Sequence, residues 1–371
     1  MKRIFTVLTS IALTFALSFS AAFANDDAFL KSQNYLKTIA LDSPDAVIAY
    51  EATGMEADYK ADALLNNFKE TDYITASYGD LAKSIIAISL LGENPKDFNK
   101  TNLVEILENR VQEDGTLTND VNGGCGATIW TLMALETVNS PKVKAVADKL
   151  STMAMANGAY WYEYQGPNAD LDTTGWAMEA LSVAGRSTYD AAISKAYTFV
   201  QSKLNSTDGY YDNWGGNADT QSCVLEGLSV AGYTLDTNAY NYLLSYQNED
   251  GTFNALNYST GQLEPNAYAS VEGARALGVI NNGSFVLMAR RDYTKTTTPV
   301  VTEPETPTKP STPTTPGTTT PAVKPETTTT EPKKETVKVV NTGDNTNVMA
   351  YVVVAIAAVG VIVLVIKSKK K

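Results

Sequence analysis

No histidine occurs anywhere in the 371 residues, and there are only two cysteines, Cys125 and Cys223. Without imidazole, the usual zinc-ligand sets, the commonest general base and every serine-hydrolase triad that needs imidazole are excluded. Two cysteines do not make a disulfide framework, and these two fall in non-neighbouring repeats, so both are expected as small buried packing groups. Positive charge is short as well: 29 Lys and Arg stand against 41 Asp and Glu, a net charge of −12. Lys2, Arg3, Lys367, Lys369, Lys370 and Lys371 lie at the extreme ends and residues 294–347 are neutral in sum, so residues 25–293 carry −18. So acidic a surface repels nucleic acid and anionic membrane. Neither a metal nor a cofactor is expected.

What the chain does have is a repeat. The stretch Leu171 to Gly185, LDTTGWAMEALSVAG, returns as Asp219 to Gly232, DTQSCVLEGLSVAG. Both read as helices buried on most sides. Anchoring on the residue four before the terminal Gly or Asn gives Tyr50, Ile88, Leu135, Leu181, Leu228 and Leu277, closed by Gly54, Gly92, Asn139, Gly185, Gly232 and Asn281. Gly and Asn readily take the left-handed conformation that ends a helix. The anchors are 38, 47, 46, 47 and 49 residues apart, the length of a helical pair. Between them lie six more charged helical stretches, near 28–39, 57–68, 102–110, 141–153, 189–204 and 237–246. Six buried and six exposed helices in alternation predict an all-α domain, an α6/α6 toroid of six helical hairpins, with an open solenoid as the alternative. Before several buried helices comes an Asp-Gly or Asn-Gly turn followed by an apolar residue, at Asp114-Gly115, Asn157-Gly158, Asp208-Gly209 and Asp250-Gly251, which reads as a clasp between layers.

The segment Gln247-Asn248-Glu249-Asp250-Gly251-Thr252-Phe253 resembles the Gln-to-Trp clasp repeat of squalene and terpenoid cyclases, with Phe in place of Trp. The Asp-Thr-led buried helices resemble those of the wider prenyltransferase-like repeat superfamily, which also contains cobalamin carriers and complement-type thioester domains. The resemblance covers about residues 28–282 and implies the toroid fold. It implies less about function, because the superfamily includes both enzymes and binders. Class II cyclases use an Asp within Asp-x-Asp-Asp-Thr-Ala as proton donor, and Asp170 to Gly175 is similar, with Asp172 on the donor position and Asp170 as its candidate partner. Thr173 replaces the last Asp and Gly175 replaces Ala. Asp219 repeats the same Asp-Thr nine residues before its anchor, so the simpler expectation for Asp172 is a helix N-cap. Protein prenyltransferase activity needs a histidine that is missing. Gly124-Cys125-Gly126 is similar to the start of the thioester motif, but Ala127 and Thr128 stand where Glu and Gln are required.

A toroid has an axial cavity, and its buried helices deliver their N-terminal halves to one mouth of it. The position five before each anchor holds Asp45, Lys83, Trp130, Trp176, Cys223 and Glu272. Charge mixed with two Trp is odd for a simple core and suits a ring facing a ligand, so Trp130, Trp176 and Glu272 are binding candidates, with core packing as the other reading. Loop aromatics add Tyr160, Trp161, Tyr211 and Trp214, a type of residue used for gripping sugars or flat cofactors.

The ends carry addressing. Residues 1–24 read as a secretory signal, cleaved between Ala24 and Asn25. The toroid is expected over 25–293, and a disordered Thr/Pro-rich stalk over 294–338. Residues 339–371 hold a candidate anchor: an apolar run at 348–366 of transmembrane-helix length, then a basic tail. Before it, Val339-Val340-Asn341-Thr342-Gly343 resembles a Gram-positive sortase signal cut between Thr342 and Gly343, with Val339 and Val340 in place of Leu and Pro. Wall attachment by a sortase and simple membrane anchoring both remain open. The leading expectation is a monomeric, non-catalytic cell-surface protein that binds a glycan or small molecule. The alternatives are an extracytoplasmic enzyme using Asp172, cyclase-like or glycan-modifying, and a cobalamin-type carrier.

Overall fold

The computed structural model describes residues 26–57, 61–120, 123–162, 167–211 and 216–291. The chain divides into two units, Met1–Pro299 and Val300–Lys371, and every described residue belongs to the first. The leader, the Ala24–Asn25 and Thr342–Gly343 junctions, the stalk, the apolar span and Trp214 lie outside the described residues.

In chain order the helices are α1 (Asp26–Thr38), α2 (Pro44–Ala52), α3 (Asp62–Glu70), α4 (Tyr78–Leu90), α5 (Leu103–Glu108), α6 (Gly126–Thr137), α7 (Val143–Met153), α8 (Leu171–Gly185) and α9 (Asp190–Gln201). After the short pair β1 (Leu204–Asn205) and β2 (Gly209–Tyr210) come α10 (Ala218–Val230) and α11 (Thr237–Ser245). A hairpin of β3 (Phe253–Asn257) and β4 (Gln262–Asn266) then leads into α12 (Ala267–Asn282) and α13 (Phe285–Ala289). The described part is thus all-α apart from two small antiparallel hairpins. The β3–β4 hairpin was not legible in the sequence.

The even-numbered helices up to α12 are the buried set. In α6 every residue is buried, as a predominantly apolar helix surrounded by others should be. Their partners are amphipathic: α7 buries Val146, Ala147 and Leu150, and α9 buries Ile193, Ala196, Phe199 and Val200, each a single stripe at helical spacing. Each buried helix packs on the next, α2 on α4, α4 on α6, α6 on α8, α8 on α10 and α10 on α12, and α12 packs in turn on α2. The last repeat is fastened to the first in both layers. Asn282 Nδ2 donates to Ala52 O at 2.9 Å, and Gln247 Nε2 donates to Ala28 O and to Ser32 Oγ, both at 2.9 Å.

The clasp turns explain how neighbouring pairs are held. At Gly115, Gly158 and Gly251 the backbone has φ of 82°, 91° and 84°. A Cβ at these glycines would lie 2.0 Å from Ala145 O, 2.3 Å from Lys195 O and 2.1 Å from Lys31 O. Each clasp therefore leans backbone to backbone on the next outer helix, and that of Gly251 leans on α1.

Two expectations about helix ends are corrected. Asp172 and Asp219 do not cap α8 and α10. The caps are Asp170, whose Oδ1 accepts Thr173 N at 2.7 Å, and Asn217, whose Oδ1 accepts Thr220 N at 2.8 Å. Ser77 and Asn266 do the same for α4 and α12. All four stand eleven residues before their anchors, and a capping side chain must come from the non-helical residue just outside the first turn. Asp172 and Asp219 are two residues inside it. At the other end, five of the six expected stops have positive φ, but α12 runs through Asn281 and stops at Gly283, φ 91°.

Beyond that stop, α13 turns back and packs on α2, α4 and α6. Phe285 is fully buried and its ring stacks on Trp130 at 6.3 Å. The described chain leaves beside the C-terminal end of α6, where Arg291 N donates to Thr137 O.

Candidate functional site

The buried helices meet in register, so residues at equal offsets from the anchors become neighbours. Asp45 Oδ1 lies 2.8 Å from Lys83 Nζ, and that ammonium sits 4.6 Å over the Trp130 ring. Trp130 and Trp176 are 5.8 Å apart at 60°. Cys223 Sγ lies 3.6 Å from Glu272 Oε2. The ring of positions five before the anchors is therefore continuous in two arcs, one of them aromatic and ionic.

That arc walls a cavity of about 930 Å³ at the N-terminal ends of the buried helices. Asp45, Lys83, Trp130 and Trp176 line it, together with Tyr162 and Tyr268. A further side is built by Arg110, at the end of α5. Its Nη1 donates to Ala76 O (2.7 Å), and its Nη2 to Tyr73 O (2.6 Å) and Ile74 O (2.8 Å), fixing the 73–76 loop at the rim. The Tyr78 hydroxyl donates to Thr118 O at 2.6 Å and ties the opposite loop. Arg110, Tyr78 and Asp120 were missed by the sequence reading because they stand outside the anchor frame.

The other sequence candidates are placed as follows. Glu272 is buried and does not line the cavity; its Oε1 lies 3.6 Å from Arg275 Nη1. Tyr160 is fully buried with an unpartnered hydroxyl, and Trp161 is half-buried with its carbonyl accepting Cys125 N. Neither lines the cavity, nor does the exposed Tyr211. Asp170 is occupied as a cap. Asp172 and Asp219 lie on the second positions of α8 and α10, each partly open but with an Oδ1 sealed from solvent and without a hydrogen-bond partner.

Desolvation holds Asp172 well above the ordinary carboxylate range, helped by the charges of Asp170, Glu272 and Asp219 and opposed by a bond from Thr220. Asp219 is pushed up to about 7, first by desolvation and then by Glu272, with Arg275 opposing. Deeper, two residues before their anchors, Glu179, Glu226 and Arg275 form one buried ionic layer. Arg275 Nε donates to Glu226 at 3.0 and 3.2 Å, and Ser284 Oγ donates to Glu179 Oε1 at 2.8 Å. Burial raises Glu179, and the charge of Glu226 raises it further.

Asp219 gives a pH test. Its folded pKa near 7 exceeds the ordinary 3.8, so between those values the folded state holds a proton that the unfolded state has lost. Stability should therefore fall as pH rises from about 4 to about 7. Asp219→Asn removes that dependence: it should be near neutral at pH 4.5 and raise stability at pH 8, by roughly 1–2 kcal/mol after discounting for its partly open side chain. Thermal melts of both proteins at the two pH values check this.

No family model matches the sequence, and no curated protein matches it. Among solved structures, a crystal structure of a protein from Actinoplanes aligns with a TM-score of 0.43 and 12% identity, covering 74% of this chain and 99% of that one.

Proposed function

We propose that the chain is an α6/α6 toroid of the prenyltransferase-like kind, exported and held on the outer face of a Gram-positive cell, where it binds a glycan or another small molecule without transforming it. The observation that carries this reading is the cavity itself. Four of the six ring positions converge on it, and its walls alternate flat aromatic faces with ionic groups, a lining suited to stacking plus hydrogen bonding. The order of packing, α12 returning onto α2, supports closure over the open solenoid. Display is supported by the leader, the Thr/Pro stretch and the sortase-like motif ahead of an apolar run, and by the exit of the described chain at the end away from the cavity.

The test is a titration of the full-length protein against a panel of oligosaccharides and small cofactors, read by tryptophan fluorescence and calorimetry. Trp176→Ala should weaken whichever ligand binds by about tenfold or more, the worth of one stacked aromatic face, while leaving the circular dichroism spectrum intact. Binding that ignores Trp176 would move the site elsewhere and end this reading.

One observation favours catalysis as a second reading: Asp172, one turn before Trp176 on α8, is raised well above the ordinary carboxylate range by desolvation and then by Asp170, the direction a general acid needs. Turnover on the same panel that disappears in Asp172→Asn, with the fold retained, would replace the binding reading by this one.

A further inference from the structure

We infer that the ligand carries a protonated amine, and that an amino sugar is the class the cavity fits; this rests on the binding reading above. The cavity already holds one ammonium group of its own. Lys83 Nζ lies 2.8 Å from Asp45 Oδ1 and 4.6 Å over the face of Trp130, the combination of carboxylate and aromatic ring that stabilises a partly desolvated cation. The same materials continue around the wall. Trp176 and Tyr268 present further aromatic groups, and Asp120 brings a carboxylate with no hydrogen-bond or ion-pair partner among the described residues.

The two cations in the wall offer a ligand few free donors. Lys83 is spent on Asp45 and Trp130, and Arg110 directs its guanidinium N–H groups to three loop carbonyls, which occupies its donors but leaves its charge. What remains open is rich in acceptors and aromatic faces. An anion would be the natural guest of converging helix N-termini. Here, however, α2 and α4, whose first residues line the cavity, are capped by Ser43 and Ser77 and carry Asp45 and Asp80 in the first turn, while α6 begins there without a side-chain cap. At α2 and α4 the partial positive charge is already answered. The −18 of residues 25–293 also steers cations rather than anions toward the molecule.

A pyranose ring stacked on Trp176 with its ammonium group toward Asp120 uses both features. The matched probes are the tetrasaccharides of glucosamine and of N-acetylglucosamine, which share a backbone and differ in charge. Full-length protein should bind the glucosamine form at least about tenfold tighter, with affinity falling as salt rises. Asp120→Asn should weaken that binding. Lys83→Met keeps most of the side-chain bulk, is one atom shorter and uncharged, and frees the Trp130 face and Asp45, so it should strengthen the glucosamine form by about tenfold. Equal or tighter binding of the acetylated form overturns the amine while leaving a glycan-binding cavity. Weaker binding of the glucosamine form in Lys83→Met overturns it as well, because Lys83 would then be a ligand contact. If neither tetrasaccharide binds and Trp176→Ala changes nothing on the wider panel, both readings fall. Circular dichroism melts of each variant separate lost binding from lost fold.

Discussion

Arg275→Met should cost the protein about 3–5 kcal/mol at pH 8, because it leaves buried carboxylates without their cation. Arg275 is 1% exposed. Its Nε reaches both oxygens of Glu226 and its Nη1 lies near Glu272, while Nη1 and Nη2 have no hydrogen-bond partner. Geometry of that quality is no argument that the layer stabilises the fold relative to an apolar one. Removing a single member is a different matter, since the unpaired charge has no route to water. Burial already raises Glu226 and Arg275 opposes it, so without Arg275 the carboxyl rises further. A raised acid favours its protonated form in the folded state, so the deficit of Arg275→Met should shrink as pH falls toward 5. Glu226→Gln in the Arg275→Met background should recover most of the loss at pH 8. Urea melts at both pH values decide it: a variant within about 1 kcal/mol of the parent at pH 8 would mean that water or another group already satisfies the layer.

This layer shows what a sequence of this kind reveals and what it withholds. A charge two residues before the anchor of three helices is visible in the letters, at Glu179, Glu226 and Arg275. That they meet depends on the register between helices, which the repeat period suggests but does not state. The ring five before the anchors was legible for the same reason, and the aromatic arc Lys83–Trp130–Trp176 follows it. The helix caps were read two residues too deep, because the recurring Asp-Thr drew attention to Asp172 and Asp219. The true caps share only a side-chain oxygen: Ser77, Asp170, Asn217 and Asn266 are alike in geometry and unlike in name. The β3–β4 hairpin hid behind the clasp turn that precedes it, its strands broken by Asn and Pro and its turn marked by Gly261 at φ 70°. Arg110 and Tyr78 shape the cavity through backbone carbonyls of distant loops, a relation that leaves no pattern in one chain.

Gly227→Ala should destabilise the protein by roughly 3 kcal/mol or more, although alanine favours a helix over glycine by about 1 kcal/mol. A Cβ at Gly227 would fall 2.1 Å from Gly175 O, and one at Gly175 would fall 2.3 Å from Cys223 O. In both cases the obstacle is backbone of the facing helix, so no rotamer change relieves it. Helices α8 and α10 would have to separate, and their separation is also the spacing of Glu179 from Glu226 and of Trp176 from Cys223. The loss should therefore appear twice, as a lowered melting temperature and as weakened ligand binding at Trp176. Gly79 supplies the control, since a Cβ there meets only Ser77 Oγ at 3.9 Å. Gly79→Ala should be neutral in stability or gain up to about 1 kcal/mol. If Gly227→Ala melts like Gly79→Ala, then α8 and α10 do not touch through their backbones, and the register that aligns the cavity wall in this sector is wrong.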